Sequence, residues 1–316
     1  MYSNYKIHLN FIVMVMGLVL FISACGNNDA TSEPENDASG EVTLDSEMGK
    51  VSIPEDPNNV LAPFHEDALL ALDVTPIAKW SIGQQIQDYL EVDLEDVPSM
   101  EWDLPLEQVL SYEPNLIILE NDMESYEGSY EDYSEIAPTY VMTEETTKDW
   151  RNQIETFGKM LGKESEAESV LKEYEEKVND ASEQLDEAIS DETIAAIWTT
   201  GDQFFLFEED RHSAEVLYSE VGINAPSLVE DLGNAETQWN PISLEALSEL
   251  EADHVFLLAE EGEQGVETLE NSSVWQQTPA AKNDNVYTID DPSNWTNTGV
   301  IASEETIDDV LNALGS

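Results

Sequence analysis

Apolar residues along this chain fall into two alternating kinds of block. One kind is a continuous run with no polar alternation, as in Asn59-Val-Leu-Ala62 and Asn115-Leu-Ile-Ile-Leu119. Such runs predict strands buried on both faces, typical of a helix-covered parallel sheet. The other kind steps by three and four residues, as at Leu69, Leu70 and Leu72 or at Leu106, Val109 and Leu110. That spacing predicts helices over His65 to Leu72 and Leu106 to Tyr112, the second ended by Pro114. Val51-Ser-Ile53 and Thr75-Pro-Ile-Ala-Lys79 predict short strands. Ile136 to Met142 predicts the last loop and strand of this half.

Trp150 to Ala188 reads differently. Trp150, Ile154, Phe157, Met160, Leu161, Ala167, Val170, Leu171, Tyr174, Val178, Ala181 and Leu185 form one helical face, with a break expected at Gly162. The second piece, Glu164 to Ile189, spans roughly 37 Å at 1.5 Å per residue. That length fits a rigid strut between two lobes better than a crossover inside one. Beyond it the alternation restarts. Thr193 to Trp198, Gln203 to Phe207, Asp253 to Leu258 and Val286 to Ile289 predict strands. Ser213 to Val221, Ser243 to Leu250 (capped by Ser243) and Ala302 to Leu314 predict helices. The pattern is α/β, with lobes at 42–147 and 190–316 and a helical linker at 148–189.

The start of the chain stands apart. The first 24 residues hold no acid; Lys6 and His8 precede the apolar run Phe11 to Ile22, which meets Ser23-Ala24-Cys25. A weakly basic start, about 12 apolar residues and a small-residue end describe a signal peptide over 1–24, too short for a comfortable membrane span. Ile22-Ser-Ala-Cys25 resembles a bacterial lipobox, so Cys25 is expected to carry a lipid anchor, with 25–41 as a polar tether. The alternative is an ordinary secretory signal ending near a free thiol. Cys25 is the only cysteine, so no intrachain disulfide is available.

Composition narrows function. The 316 residues carry 69 acidic against 11 basic side chains, a formal charge of −58. A surplus this large opposes sequence-independent binding to nucleic acid or anionic lipid, both of which need Lys and Arg against phosphate. The acids are spread along the chain, which fits solvation in salty or alkaline surroundings better than a cation-binding tract. No nucleotide-type glycine loop, zinc-binding cysteine spacing, Gly-x-Ser-x-Gly elbow or His-Glu-x-x-His run occurs. An extracellular glycosidase with paired carboxylates remains open, but 69 acids make any pair uninformative. A surface adhesion or sensory domain also remains open.

Two stretches share one grammar. Leu104-Pro-Leu-Glu107 leads through a helix to the strand at Leu116, and Asn240-Pro-Ile-Ser-Leu-Glu245 leads through a helix to the strand at His254. The repeat argues for two lobes of similar plan. Together with the lipobox, Ala68 to Ile77, Glu113-Pro-Asn-Leu-Ile-Ile118, Phe157 to Glu164, Trp239 to Glu245 and Ala281 to Tyr287, it resembles the substrate-binding lipoproteins of ABC importers for ferric siderophores, haem and cobalamin. The resemblance covers nearly the whole chain after Cys25. Asp73 stands where that family usually has Gly, and Asn115 where it has Asp.

The resemblance implies two Rossmann-like α/β lobes joined by a single long rigid helix, with the ligand cleft between them and no catalysis. It implies a monomer that captures a ferric siderophore and delivers it to an ABC permease and its ATPase. It also implies docking through Glu107 and Glu245, whose plain alternative is an acidic residue favouring its own helix dipole. Ligand candidates follow from scarcity. Lys79 and Arg211 each lie beside a strand, with Trp80 and His212 as neighbours. A guanidinium fork suits hydroxamate or carboxylate oxygens, and indoles supply flat walls. Trp198, Trp239 and Trp295 are further candidates, with core packing as their rival role, and His65 starts a helix facing the expected cleft. With so few cations, hydroxamate or citrate chelates are favoured over catecholates. The siderophore itself is the expected ligand, without a protein cofactor. Haem, cobalamin or a bare transition metal stay as alternatives, the last weakly served by His65, His212 and His254.

Overall fold

A computed structural model describes residues 40–82 and 87–315. The signal segment, Cys25 and all but the end of the tether lie outside the described residues. The first layer begins with a hairpin, β1 (Glu41–Ser46) and β2 (Gly49–Pro54), then β3 (Val60–Leu61) and helix α1 (Glu66–Ala71). β4 (Lys79–Ser81), α2 (Glu91–Leu94), β5 (Ser99–Glu101) and α3 (Leu106–Ser111) follow. β6 (Leu116–Leu119), α4 (Tyr130–Ile136), β7 (Thr139–Val141) and α5 (Glu144–Lys148) complete this half. β6 is the centre of a parallel sheet ordered β3-β6-β7, and β4 and β5 form a separate parallel pair.

Helices α6 (Trp150–Leu161) and α7 (Glu164–Ile189) make the linker, and Gly162 ends α6 at φ 65°, a left-handed cap that glycine adopts without strain. The second half holds β8 (Ile194–Thr200), β9 (Gln203–Leu206) and α8 (Ser213–Glu215), which runs into a π-helical turn at 216–221. Then come α9 (Ser227–Glu230), α10 (Leu244–Leu247), β10 (His254–Leu258), α11 (Gln264–Glu270) and α12 (Pro279–Lys282). β11 (Val286–Ile289), α13 (Ser293–Thr296) and α14 (Val300–Leu314) close the chain. The second sheet is ordered β11-β10-β8-β9, with only β9 antiparallel. In each sheet one inner strand, β6 or β10, follows a short helix carrying an exposed glutamate in its first turn, Glu107 or Glu245. This helix–strand unit recurs in the two halves, although the sheets differ in strand number.

Alternation along the central strands explains why they read as unbroken apolar runs. Leu116 and Ile118 of β6 face one core while Ile117 and Leu119 face another. In β10, Phe256 and Leu258 face that same first core and Val255 and Leu257 a third. A strand alternates its side chains between faces, so both faces must be apolar when both are covered. The first core is shared: it contains the inner faces of both sheets and the buried edges of α1, α6, α7 and α14. Ala167, Tyr174, Ala181, Leu185 and Ile189 form the buried stripe of α7. Truncating such a residue, as in Ile118→Ala, is expected to cost about 2–5 kcal/mol. The linker is thus packed along the joint of the lobes as well as connecting them. Among the described residues, no helix is long and apolar enough to cross a membrane.

Beyond short elements that were not foreseen (β1, α2, α4, α5, α9, α11 and α12), two departures concern residues nominated for the site. The strand expected over Thr75 to Lys79 lies at Lys79–Ser81, pairing with a strand that was not foreseen at all. Pro76 lacks the N–H a ladder needs, so the pairing segment begins after it. Trp295, expected in a loop, sits in α13.

Candidate functional site

Strands of both sheets end at one cleft. β3 leads to Phe64; β8 ends in Trp198, Thr199 and Thr200; β10 is followed by Glu260, and β11 by Asp290 and Asp291. With Asp88, Trp239, Glu263 and residues of α13 they line a cavity of about 680 Å³. Carboxyl ends of parallel strands are where open α/β sheets hold ligands, because loops there are free of the packing that fixes the sheet. The volume falls within the range of about 300–1,000 Å³ usual for ligand sites.

Trp239 is the centre of one wall. Its ring lies 5.2 Å from Trp198, 5.9 Å from Phe205 and 4.9 Å from Phe207. On another side it stacks on His212 at 5.8 Å, and the Arg211 guanidinium carbon is 4.2 Å from its ring centre. Trp239 sits in a long loop, and this aromatic packing gives it a fixed place. Across the cleft stands Phe64, 37% exposed, with its ring 5.3 Å from Trp80. Phe64 and His212 hold φ values of 69° and 44°. Left-handed backbone is costly for such side chains and tends to persist where the surroundings over-determine it.

The two cations nominated as ligand contacts, Lys79 and Arg211, do not line the cleft. Arg211 is 4% exposed; it makes a bidentate ion pair with Glu208 and donates to the Glu236 carbonyl at 3.0 Å. It braces Trp239 from beneath. The Lys79 ammonium donates to the Leu94 carbonyl at 3.0 Å and to Glu91 at 3.3 Å, tying β4 to α2. With acids this abundant, both of these cations have found a carboxylate close by in the fold. Trp80 donates its indole N–H to the Trp102 carbonyl at 3.3 Å and supports Phe64. His212 meets Thr298 Oγ1 at 3.1 Å, and burial, then Arg211, pushes it down to about 4, so it stays neutral. Trp295 has no exposure: it stacks on Phe256 and donates to Asp309 at 2.8 Å, a core position. Of the residues nominated from sequence, Trp198 and Trp239 line the cleft, and Trp80, Arg211 and His212 hold its aromatic walls.

Beneath the cleft the lobes are fastened. Asp67 of α1 accepts from the backbone N–H groups of Ile301 (3.2 Å) and Ala302 (3.0 Å) and from the Tyr89 hydroxyl (3.0 Å). It thereby caps α14 from the opposite lobe. A Cβ on Gly299 would lie 2.3 Å from the Asp67 carboxyl carbon, so only glycine allows this approach. Tyr89 also donates its N–H to Ser293 Oγ at 2.9 Å. Neighbouring Glu66 accepts from the Trp80 N–H at 2.6 Å, while its other oxygen has no partner. Burial raises Glu66 to about 7 and Asp67 to about 6, with hydrogen bonds opposing the shift in each. His65 lies in this junction, edge-on to Phe157 at 6.0 Å. Its Nε2 is 3.4 Å from Glu120, too long for a good hydrogen bond, yet near enough to hold Glu120 below the usual carboxylate range.

Sequence reasoning missed Phe64, Asp88, Glu260, Asp290 and Asp291. The signal was present: Leu258-Ala-Glu260 and Ile289-Asp-Asp291 each put acids just beyond a predicted strand, the end at which ligand loops gather. Among 69 acidic side chains these do not stand out by residue type.

A two-lobed α/β body with an aromatic-walled cleft at its strand ends is the build of a ligand-binding protein. The chain belongs to the periplasmic binding protein family, which it matches over residues 63–292. Members are binding proteins and not enzymes. It is 25% identical over 296 residues to the iron(3+)-hydroxamate-binding protein YxeB of Bacillus subtilis, covering 90% of each chain. With the Fe(3+)-citrate-binding protein YfmC of the same organism it shares 26% over 328 residues, 98% of this chain and 97% of that one. Among solved structures it superposes with a TM-score of 0.73 on a FhuD fold-family periplasmic binding protein component of a ferrichrome-type ABC transporter from Bacillus subtilis. That match has 24% identity and covers 86% of this chain and 100% of the other.

Proposed function

We propose that this protein captures an intact ferric siderophore, of hydroxamate or citrate type, between its lobes and delivers it to an ABC permease and its ATPase. The cleft carries this reading: about 680 Å³, open, and walled by Trp198, Trp239 and Phe64 at the strand ends of both sheets. The names of the relatives, which bind ferric hydroxamate or ferric citrate, support it. A siderophore keeps its iron coordinated, so flat apolar walls serve where metal ligands are not needed. Among the described residues no three His, Cys, Asp or Glu side chains are grouped to hold an ion. Titrating a panel of ferric siderophores against tryptophan fluorescence tests it. Saturable quenching at submicromolar ligand is expected, and quenching by none of them would overturn it.

We further read 42–147 and 190–316 as the lobes and 148–189 as the linker, with a lipid on Cys25 holding a monomer to the outer face of the cell membrane. Cys25→Ser is expected to release the protein into the medium. Glu107 and Glu245, exposed at matching places on the two lobes, are read as the permease-docking charges, because two separated charges fix orientation as well as attraction. Reversing both is expected to abolish uptake of a bound chelate while leaving its affinity unchanged; uptake that persists would remove that role.

A further inference from the structure

The cleft is charged with one sign. Asp88 faces it from the first lobe, and Glu260, Glu263, Asp290 and Asp291 from the second. Glu263 is occupied by the Gly201 N–H at 2.5 Å, and Asp291 accepts from the Ser293 N–H at 2.9 Å; Asp88, Glu260 and Asp290 are exposed to the cavity and its mouth. No cationic side chain is among the lining residues. Arg211 is spent on Glu208 and Glu236, Lys79 on Glu91 and Leu94, and His212 is neutral. The carboxylates also feel one another between lobes: burial first, then Asp291, Glu91 and Glu260, push Asp88 above the usual aspartate range, with only Lys79 opposing. A cavity with low-dielectric walls and fixed charges of one sign concentrates its field on the occupant. An anionic chelate entering there meets repulsion from both sides. A cationic group meets attraction from both sides and relieves the repulsion between lobes.

Resting on the capture proposed above, we infer that the cleft selects its ferric chelate by charge. Of the two chelate types named there, it favours a hydroxamate complex bearing a free ammonium group over anionic citrate complexes, and it disfavours catecholate complexes in the same way. The chelate's apolar surface lies against Trp198, Trp239 and Phe64, and its ammonium group among Asp88, Glu260, Asp290 and Asp291. Indole faces add a second preference for positive charge.

Two probes isolate the effect: a ferric linear trihydroxamate with a free terminal amine, and the same compound N-acetylated, so that size and iron coordination match and only the charge differs. Ferric citrate serves as the anionic probe. By fluorescence titration in 20 mM salt, the amine form is expected to bind about tenfold or more tighter than the acetylated form, and ferric citrate weakest. In 1 M salt the ratio between the two trihydroxamates is expected to fall towards one, because screening at that strength acts within about 3 Å. In a Glu260→Gln, Asp290→Asn, Asp291→Asn variant the low-salt ratio is expected to collapse likewise. Equal binding of the two trihydroxamates, tighter binding of ferric citrate, or a ratio that survives both salt and the triple substitution would overturn the charge selection while leaving capture standing. Failure of every probe to bind would overturn capture itself.

Discussion

Two groups of carboxylates sit within the same part of the molecule and behave in opposite ways. Glu66 and Asp67 lie under the cleft, fully desolvated, with raised affinities for protons, and Asp67 fastens one lobe to the helix start of the other. Glu260, Asp290 and Asp291 line the cleft above them and stay in contact with water. The residue types are the same; only the solvent differs. Burial turns a carboxylate into a structural acceptor that favours its neutral form, whereas exposure leaves it as a source of field. A count of 69 acids therefore says little about function until each is placed.

The junction is the side of this comparison where substitutions should cost most. Asp67→Ala would leave two backbone N–H groups and the Tyr89 hydroxyl without their acceptor. We expect a loss of about 4 kcal/mol in urea denaturation, since each buried unmade hydrogen bond costs about 1–3 kcal/mol. A loss below about 1 kcal/mol would show that the contact fastens nothing. Next comes pH. In the unfolded chain Glu66 and Asp67 ionise near 4.5 and 3.8; in the fold they do so near 7 and 6. The folded state then holds more protons between those values, so stability should rise as pH falls from about 7 to about 4 and be lost as pH climbs back. For Glu66 alone the swing is roughly 3 kcal/mol. Glu66→Gln should flatten the slope of stability against pH in that window while leaving the surface charge otherwise intact; an unchanged slope would assign the pH dependence to the surface. Gly299→Ala, which drives a methyl group into the Asp67 carboxylate, should cost about 2 kcal/mol. Asp290→Asn, in the exposed group, should change stability by less than about 0.5 kcal/mol.

Much of the framework was legible in the sequence, because its elements obey strong local rules. β6 and β10 are buried on both faces and so read as unbroken apolar runs, and the α6–α7 break falls at Gly162, where a left-handed cap is needed. β4 and β5 were displaced or missed because each is three residues long and held by pairing to a strand about twenty residues away, which no local pattern records. The site was half legible. Trp198 and Trp239 were found as aromatics at a strand end and in a loop. Trp295 looked the same in sequence, yet stacking on Phe256 and a bond to Asp309 draw it into the core. Lys79 and Arg211 were nominated for their charge, and that charge is what binds them to Glu91 and Glu208. The Asp67 cap joins residues more than 230 positions apart, so nothing near Asp67 announces it.

A crystal structure of the protein grown with a ferric trihydroxamate tests the central claim most directly. The account predicts one chelate per chain, seated between Phe64 and the Trp198–Trp239 wall, its iron held only by hydroxamate oxygens, with the Asp67 cap on α14 unbroken. A chelate bound elsewhere on the surface, or iron ligated by protein side chains with the cleft empty, would contradict it.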